Sequence, residues 1–279
     1  MRKIAYLFLG ISFIFALLGC KKEDAKTITV CASEEPHAYV LENSVKKIVE
    51  EKGYTLKITV LDWTLQNGAV ANNDYDANYF QHIPYLLSGD YKDLLVAACK
   101  VHYEPLGIYR GKAKGDLSEG KTFSICNDVS NAIRAFYLLK SKGVISDIPV
   151  NEAGDELTFN TNTWTDGNVT VTLIAEELLA ATRTDYDFAL LPSNTAITGH
   201  ISKELQVAKE DDPKEVSLKA NILAVRKKDY LNDSLYKEKI DVLADALLSK
   251  EVSNFISETY LGAITCDSLT QIDLRNEIK

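Results

Sequence analysis

Residues 27–60 read TITVCASEEPHAYVLENSVKKIVEEKGYTLKITV. Thr27-Ile28-Thr29-Val30-Cys31 alternates polar and apolar side chains, the two-residue period of a strand. Pro36-His37 then opens a helix in which Leu41, Val45, Ile48 and Val49 recur at three to four residues. Lys52-Gly53 ends it, glycine being the common residue just past a helix. Leu56, Ile58 and Val60 resume the alternation. Two strands joined by a helix pair in parallel with a right-handed crossover, so the chain is read as α/β.

The same grammar returns further on. Asp76 to Phe80 reads as a short strand and Leu94 to Tyr109 as a longer extended stretch. Thr122 to Cys126 starts a second strand–helix unit, followed by Asn127-Asp128 and an apolar helix through Lys140. Val169 to Ile174, Phe188 to Leu191 and Asn221 to Arg226 are further strands. Helices around Ile240–Leu248 and Val252–Tyr260 close the chain. Two successive α/β units, with a last segment returning to the first, predict two lobes around a cleft. The polar stretch Gly111 to Lys121 is taken as the crossing between them. The expected lobes are residues 27–112 and 113–215, with 216–279 returning to the first.

The 279 residues, 46% hydrophobic and 25% charged, have ordinary globular composition and suffice for a sizeable core without covalent staples. The formal net charge of −9 and the absence of any long basic run argue against nucleic acid as a partner. The N-terminus stands apart from the fold. Arg2 and Lys3 precede the apolar run Ile4 to Leu18, which is short for a membrane span and reads as a signal peptide over residues 1–19. Leu17-Leu18-Gly19-Cys20 resembles a bacterial lipobox, which implies cleavage before Cys20 and acylation of that residue. Residues 20–26 are too polar to bury anything and form a solvated tether. The expectation is a domain held by lipid on the outer face of a bacterial membrane, facing the periplasm or exterior. Cys31, Cys99, Cys126 and Cys266 follow no metal-ligand spacing and are read as buried free thiols.

The catalytic inventory is thin. Nucleophile-elbow, zinc-helix and phosphate-loop signatures are absent, and the four histidines are scattered. His102 and Glu104, two apart, would share one side of a strand, as an acid–base pair or as a structural hydrogen bond. Two segments carry more. Asp76-Ala77-Asn78-Tyr79-Phe80-Gln81-His82-Ile83-Pro84-Tyr85-Leu86 concentrates aromatic and amide groups. Strand alternation would put Phe80 and His82 on one side, with Tyr85 curling back after Pro84. In Asn127-Asp128-Val129-Ser130-Asn131-Ala132-Ile133-Arg134, Asn127 or Asp128 caps a helix. Asn131 and Arg134 then share one face near its positive end, a combination suited to a carboxylate.

At these residues the chain resembles the methionine-binding lipoproteins of ABC importers, the MetQ/NlpA group of substrate-binding proteins. The resemblance rests on DANYFQHIPYL at 76–86, KVHYEPLGIY at 100–109, NDVSNAIRA at 127–135, PHA at 36–38 and ANILAVR at 220–226. It runs from about Thr27 to the C-terminus. It implies a two-lobed, type II periplasmic-binding-protein fold that closes on L-methionine. Residue by residue, Phe80, His82 and Tyr85 correspond to the side-chain pocket, with Trp63 where the group has Tyr or Phe. Asn131 and Arg134 match the motif that holds the carboxylate, and Asn194 an Asn that hydrogen-bonds the ligand's polar end. The chain departs from the group at Gln66, where Pro is usual, at Thr195, where Tyr is common, and at Cys31, Cys99 and Cys126, often Gly or Pro.

The implied protein is a monomeric importer component without enzymatic activity, working with a permease and an ATPase and needing no cofactor or metal. The competing expectations are another apolar amino acid or a small dipeptide in the same cleft, a periplasmic enzyme on the same scaffold using His82 or the His102/Glu104 pair, and a surface adhesin. The matched motifs leave the ligand's ammonium group without an acid.

Overall fold

The computed structural model describes residues 25–279. The signal peptide, the lipidation at Cys20 and most of the tether lie outside these residues. The first lobe starts with β1 (Thr27–Ala32), helical turns leading into α1 (Lys46–Glu51), and β2 (Thr55–Val60). It continues through α2 (Trp63–Ala71), β3 (Ala77–His82), α3 (Ile83–Ser88) and β4 (Leu95–His102). The second lobe holds β5 (Leu106–Arg110), β6 (Thr122–Cys126), α4 (Val129–Ser141), β7 (Thr163–Asp166) and β8 (Val169–Ile174). It ends with α5 (Glu176–Thr182), β9 (Phe188–Pro192), α6 (Ser193–Thr198) and β10 (Gln206–Lys209). The chain then returns for β11 (Asn221–Arg226), α7 (Ser234–Leu247), α8 (Lys250–Tyr260) and β12 (Ile272–Asp273).

The strands form two six-stranded sheets, ordered β12-β4-β11-β3-β1-β2 and β10-β5-β9-β6-β8-β7. In the first, β1 lies parallel to β2, as the opening stretch predicts, and also to β3, and β11 runs antiparallel between β3 and β4. In the second, β6 lies parallel to β8 and β9. Gly53, at φ +80°, turns the chain from the first helical segment into β2, a conformation that suits a residue without Cβ.

The crossing between lobes differs from the expected one. β5 pairs with β9 from Leu106↔Pro192 to Arg110↔Phe188, so it belongs to the second sheet. The single stretch expected over Leu94 to Tyr109 is two strands in two sheets, joined by Tyr103-Glu104-Pro105. The chain therefore crosses there and not at Gly111–Lys121, which is a surface loop of the second lobe. Both strands are apolar, and hydrophobicity alone does not register a change of sheet; Pro105 was the local sign of a break. The return crossing lies between Lys209 and Asn221.

Each lobe has its own core. On α7, Ile240, Leu243, Ala244 and Leu247 are fully buried against the first sheet at helical spacing. On α4, Ala132, Ala135, Phe136 and Leu139 do the same on the second. Each fully buried Leu, Ile or Phe contributes roughly 1.5–3 kcal/mol. Cys31, Cys99, Cys126 and Cys266 are free and buried, as read from the sequence. Among the described residues no helix is long and apolar enough to cross a membrane.

Candidate functional site

The end of β3 builds one wall of the cleft between the lobes. Its pairing with β11 slips between Ile222 and Leu223, which face Gln81 and Tyr79. Such a bulge re-aims side chains, and Phe80, Gln81 and His82 all reach the same cavity. Gln81 is held from behind: its Nε2 donates to Asn78 Oδ1 at 2.9 Å and its Oε1 accepts from Asn67 at 3.0 Å. His82 caps α3, its Nδ1 accepting the Tyr85 backbone N–H at 3.1 Å. That cap brings the Tyr85 ring back over the strand, 5.8 Å from Phe80 and 5.5 Å from Trp63, both edge-on. Trp63 is fixed in turn at the start of α2, where Asp62 accepts from the Thr64 N–H at 2.9 Å.

The opposite wall comes from the start of α4. Asp128 caps this helix and accepts the Asn131 N–H at 2.9 Å. Asn131 Oδ1 lies 3.2 Å from His82 Nε2. With Nδ1 already an acceptor, His82 is the neutral tautomer donating from Nε2. Burial, followed by the Arg134 charge, pushes its pKa down to about 4, which keeps it in that form.

Arg134 is not a lone cation awaiting a ligand. Its Nε lies 2.8 and 2.9 Å from the two oxygens of Glu210, and its Nη2 donates to Glu210 and, at 2.7 Å, to the Glu104 carbonyl. Glu210 also accepts from Tyr103 Oη at 2.6 Å, the Leu106 N–H at 3.0 Å and Lys219 Nζ at 3.2 Å. Burial opposes the Glu210 charge, but Arg134 and Lys219 outweigh it and draw its pKa down to about 2.

Glu104 sits on the outgoing crossing. His102 Nε2 lies 2.7 Å and His37 Nε2 3.2 Å from Glu104 Oε1, while Oε2 accepts the Asn194 N–H at 3.3 Å. His102 Nδ1 meets the Tyr79 hydroxyl, and His37 Nε2 also lies 3.1 Å from Asn221 Oδ1. Burial opposes the Glu104 charge, and His37 and His102 together hold its carboxyl well below the usual range. The two imidazoles and the carboxylate are the one group among the described residues with the donors to hold a metal ion. Both imidazoles already bond to Glu104, and His37 Nδ1 is left buried without a partner among the described residues, so the cluster reads as a structural network, one that also holds the Asn194 N–H.

Trp63, Phe80, His82, Tyr85, Asn131, Arg134 and Asn194 all line one cavity of about 530 Å³, counted out to open solvent. Its aromatic end comes from the first lobe and most of its charged end from the second and the crossings. Sequence reasoning missed five of its polar residues, Ser33, Gln81, Glu104, Glu176 and Asn221. Asn221 lies in the ANILAVR stretch quoted above, without a role given to it. Glu104 was paired only with His102. Glu176, the first residue of α5, follows a strand without any motif. It accepts from Thr195 Oγ at 2.8 Å and from Cys126 Sγ at 3.8 Å. The arrangement sets aromatic rings, amides and charged groups around one cavity.

A sequence profile described as NlpA lipoprotein matches residues 28–266. The methionine-binding lipoprotein MetQ of Bacillus subtilis is 35% identical over 276 residues, covering 92% of this chain and 97% of its own. A solved Ruminococcus gnavus structure has a TM-score of 0.76 at 35% identity, covering 87% of this chain and 100% of its own. A nutrient binding protein from Burkholderia cenocepacia bound to methionine has a TM-score of 0.71 at 28% identity, covering 86% and 99%.

Proposed function

Because the chain belongs to the NlpA lipoprotein family, we propose that it is the substrate-binding protein of an ABC importer, closing on L-methionine between its lobes. Cys20 carries the lipid that tethers it to a bacterial membrane. A permease and an ATPase take the ligand onward. The protein binds and releases its ligand without turnover.

One observation carries this reading: an aromatic trio and a buried cationic group face each other across a single interlobe cavity. Trp63, Phe80 and Tyr85 wrap the thioether, which packs on aromatic rings with about 0.3–1.5 kcal/mol per contact. Asn131 and Arg134 donate to the carboxylate. Asn194 accepts from the ammonium. A zwitterion enters such a place only where its charges find partners.

Mass spectrometry of whatever co-purifies with the mature chain, followed by titration calorimetry on stripped protein, tests the reading. Methionine is the expected co-purifying molecule and the tightest amino-acid ligand. If a dipeptide binds and methionine does not, the ligand assignment falls and the two-lobed binding protein remains.

A further inference from the structure

Two acids line the cavity, and they differ in how their charge is met. Glu104 has His37, His102 and the Asn194 N–H. Among the described residues Glu176 has only neutral donors, the Thr195 hydroxyl on Oε1 and the Cys126 thiol on Oε2. Thr195 also ties it to Asn194, whose Oδ1 lies 3.5 Å from the same hydroxyl oxygen. Asn194 thus stands between a compensated acid and an uncompensated one on the lining of the cavity.

We infer that Glu176 receives the ligand's ammonium group and makes the site selective for α-amino acids over their deaminated counterparts. This rests on the proposed binding of an α-amino acid in the cleft. The groups packed round Glu176 supply no cation of their own. Asp128 faces it from the cap of α4, Glu104 from the crossing, Cys126 from β6 and Tyr85 from α3. Arg134 and His82 share the cavity, but Arg134 is held by Glu210 and His82 is neutral. Burial pushes the Glu176 carboxyl up to about 7, with Asp128 and Glu104 adding to it against the Thr195 hydrogen bond. Empty, the site is therefore partly protonated at neutral pH. An arriving ammonium favours the carboxylate. The Glu176 proton leaves to solvent as the ion pair forms, and affinity rises as pH climbs through about 7.

The experiment is calorimetry on the stripped mature chain near neutral pH, in two buffers of different protonation enthalpy, with L-methionine and with 4-(methylsulfanyl)butanoate. The wild-type protein should release a fraction of a proton on binding methionine, shrinking as pH rises past about 7, and none on binding the deaminated acid. Glu176→Gln, close in shape, should weaken methionine by about 10- to 100-fold, as for a hydrogen bond to a charged group. It should abolish the proton release and leave the deaminated acid's affinity unchanged. Equal weakening of both ligands, or proton release that persists in the variant, overturns the inference while the functional reading stands. If the variant does not fold, wild-type methionine binding without proton release overturns it. If the wild-type protein binds no α-amino acid, the functional reading falls and takes this inference with it.

Discussion

His82 of the first lobe and Asn131 of the second lie 3.2 Å apart, Nε2 to Oδ1, so the two walls of the cleft are hydrogen-bonded to each other. The described conformation has the two lobes in direct contact at this pair. His82 also caps α3 through Nδ1, so one imidazole positions Tyr85 and latches the lobes. Each task uses one ring nitrogen, and the cap at Nδ1 requires the neutral ring.

Removing this latch should weaken ligand binding more than folding. His82→Ala is expected to lower methionine affinity by about 1–3 kcal/mol, the scale for losing a buried hydrogen-bond partner. Calorimetry gives the affinity and denaturant unfolding the stability. A loss of stability equal to the loss of affinity would make His82 merely structural.

The same ring makes stability depend on pH. Its pKa falls from 6.5 to about 4 in the fold, so the unfolded chain binds more protons between those values. Stability from this group is fully present above the unfolded value and is lost as pH falls from 6.5 toward about 4. Denaturant melts across this window should slope less in His82→Asn than in the wild type. Parallel slopes would assign the dependence to His102, which burial also lowers.

Arg134 carries stability as well as binding. Arg134→Ala leaves Glu210 buried with Lys219 as its one charged partner among the described residues, and breaking such a pair from one side destabilises by about 3–5 kcal/mol. Arg134→Lys should recover little, since a lysine cannot reach Glu210, the Glu104 carbonyl and a ligand with one planar fork. In a double-mutant cycle with Glu210→Gln, the two losses should be far from additive. Additive losses would show that the pair is not coupled.

Ligand selectivity follows the shape of the aromatic slot. Norleucine should bind below methionine by about 1 kcal/mol, the scale of the lost sulfur contacts. Leucine and valine, branched near the backbone, should be much weaker. Methionine sulfoxide should bind poorly, because its oxygen needs a donor and both His82 nitrogens are engaged. Leucine matching methionine in competition calorimetry would remove the slot as the source of selectivity.

The cysteines should be silent in the native protein. Burial pushes the thiols of Cys31, Cys99 and Cys266 up to about 12, and Cys126 higher. Little thiolate then exists at neutral pH to react. A thiol reagent should label none before unfolding and all four afterwards, with Cys20 blocked by its lipid. Cys20→Ser should label the same and leave the membrane fraction.

The sequence was most legible where one local period or one cap decides the outcome. Thr122–Cys126 and Asn221–Arg226 are strands with the bounds that alternation and apolar runs suggest. Asp128 is the cap of its helix because only a short acceptor reaches the free N–H groups of that turn. What stayed hidden is what distance in sequence conceals. Glu210-Asp211-Asp212-Pro213 looks like a solvated acidic loop, yet Glu210 is the buried partner of Arg134, 76 residues away. Gln81 was expected to face away from Phe80 and His82; a bulge set by β11 turns it into the same cavity. Glu176 has no motif, and its importance comes from three elements meeting around it.

β11 lies in the middle of the first sheet, between β3 and β4, although more than a hundred residues of the second lobe separate it from β4 in the chain. The second lobe draws all its strands from one continuous stretch. A chain emerging N-terminus first from a secretion channel can therefore complete its second sheet before its first. Until Asn221–Arg226 arrives, β3 and β4 each present an unpaired edge, that of β4 rich in apolar residues, a template for wrong partners. Folding after export is thus most vulnerable to aggregation in the half that begins the polypeptide. A chaperone acting on this protein would serve it best by shielding β3 and β4 until the central strand inserts.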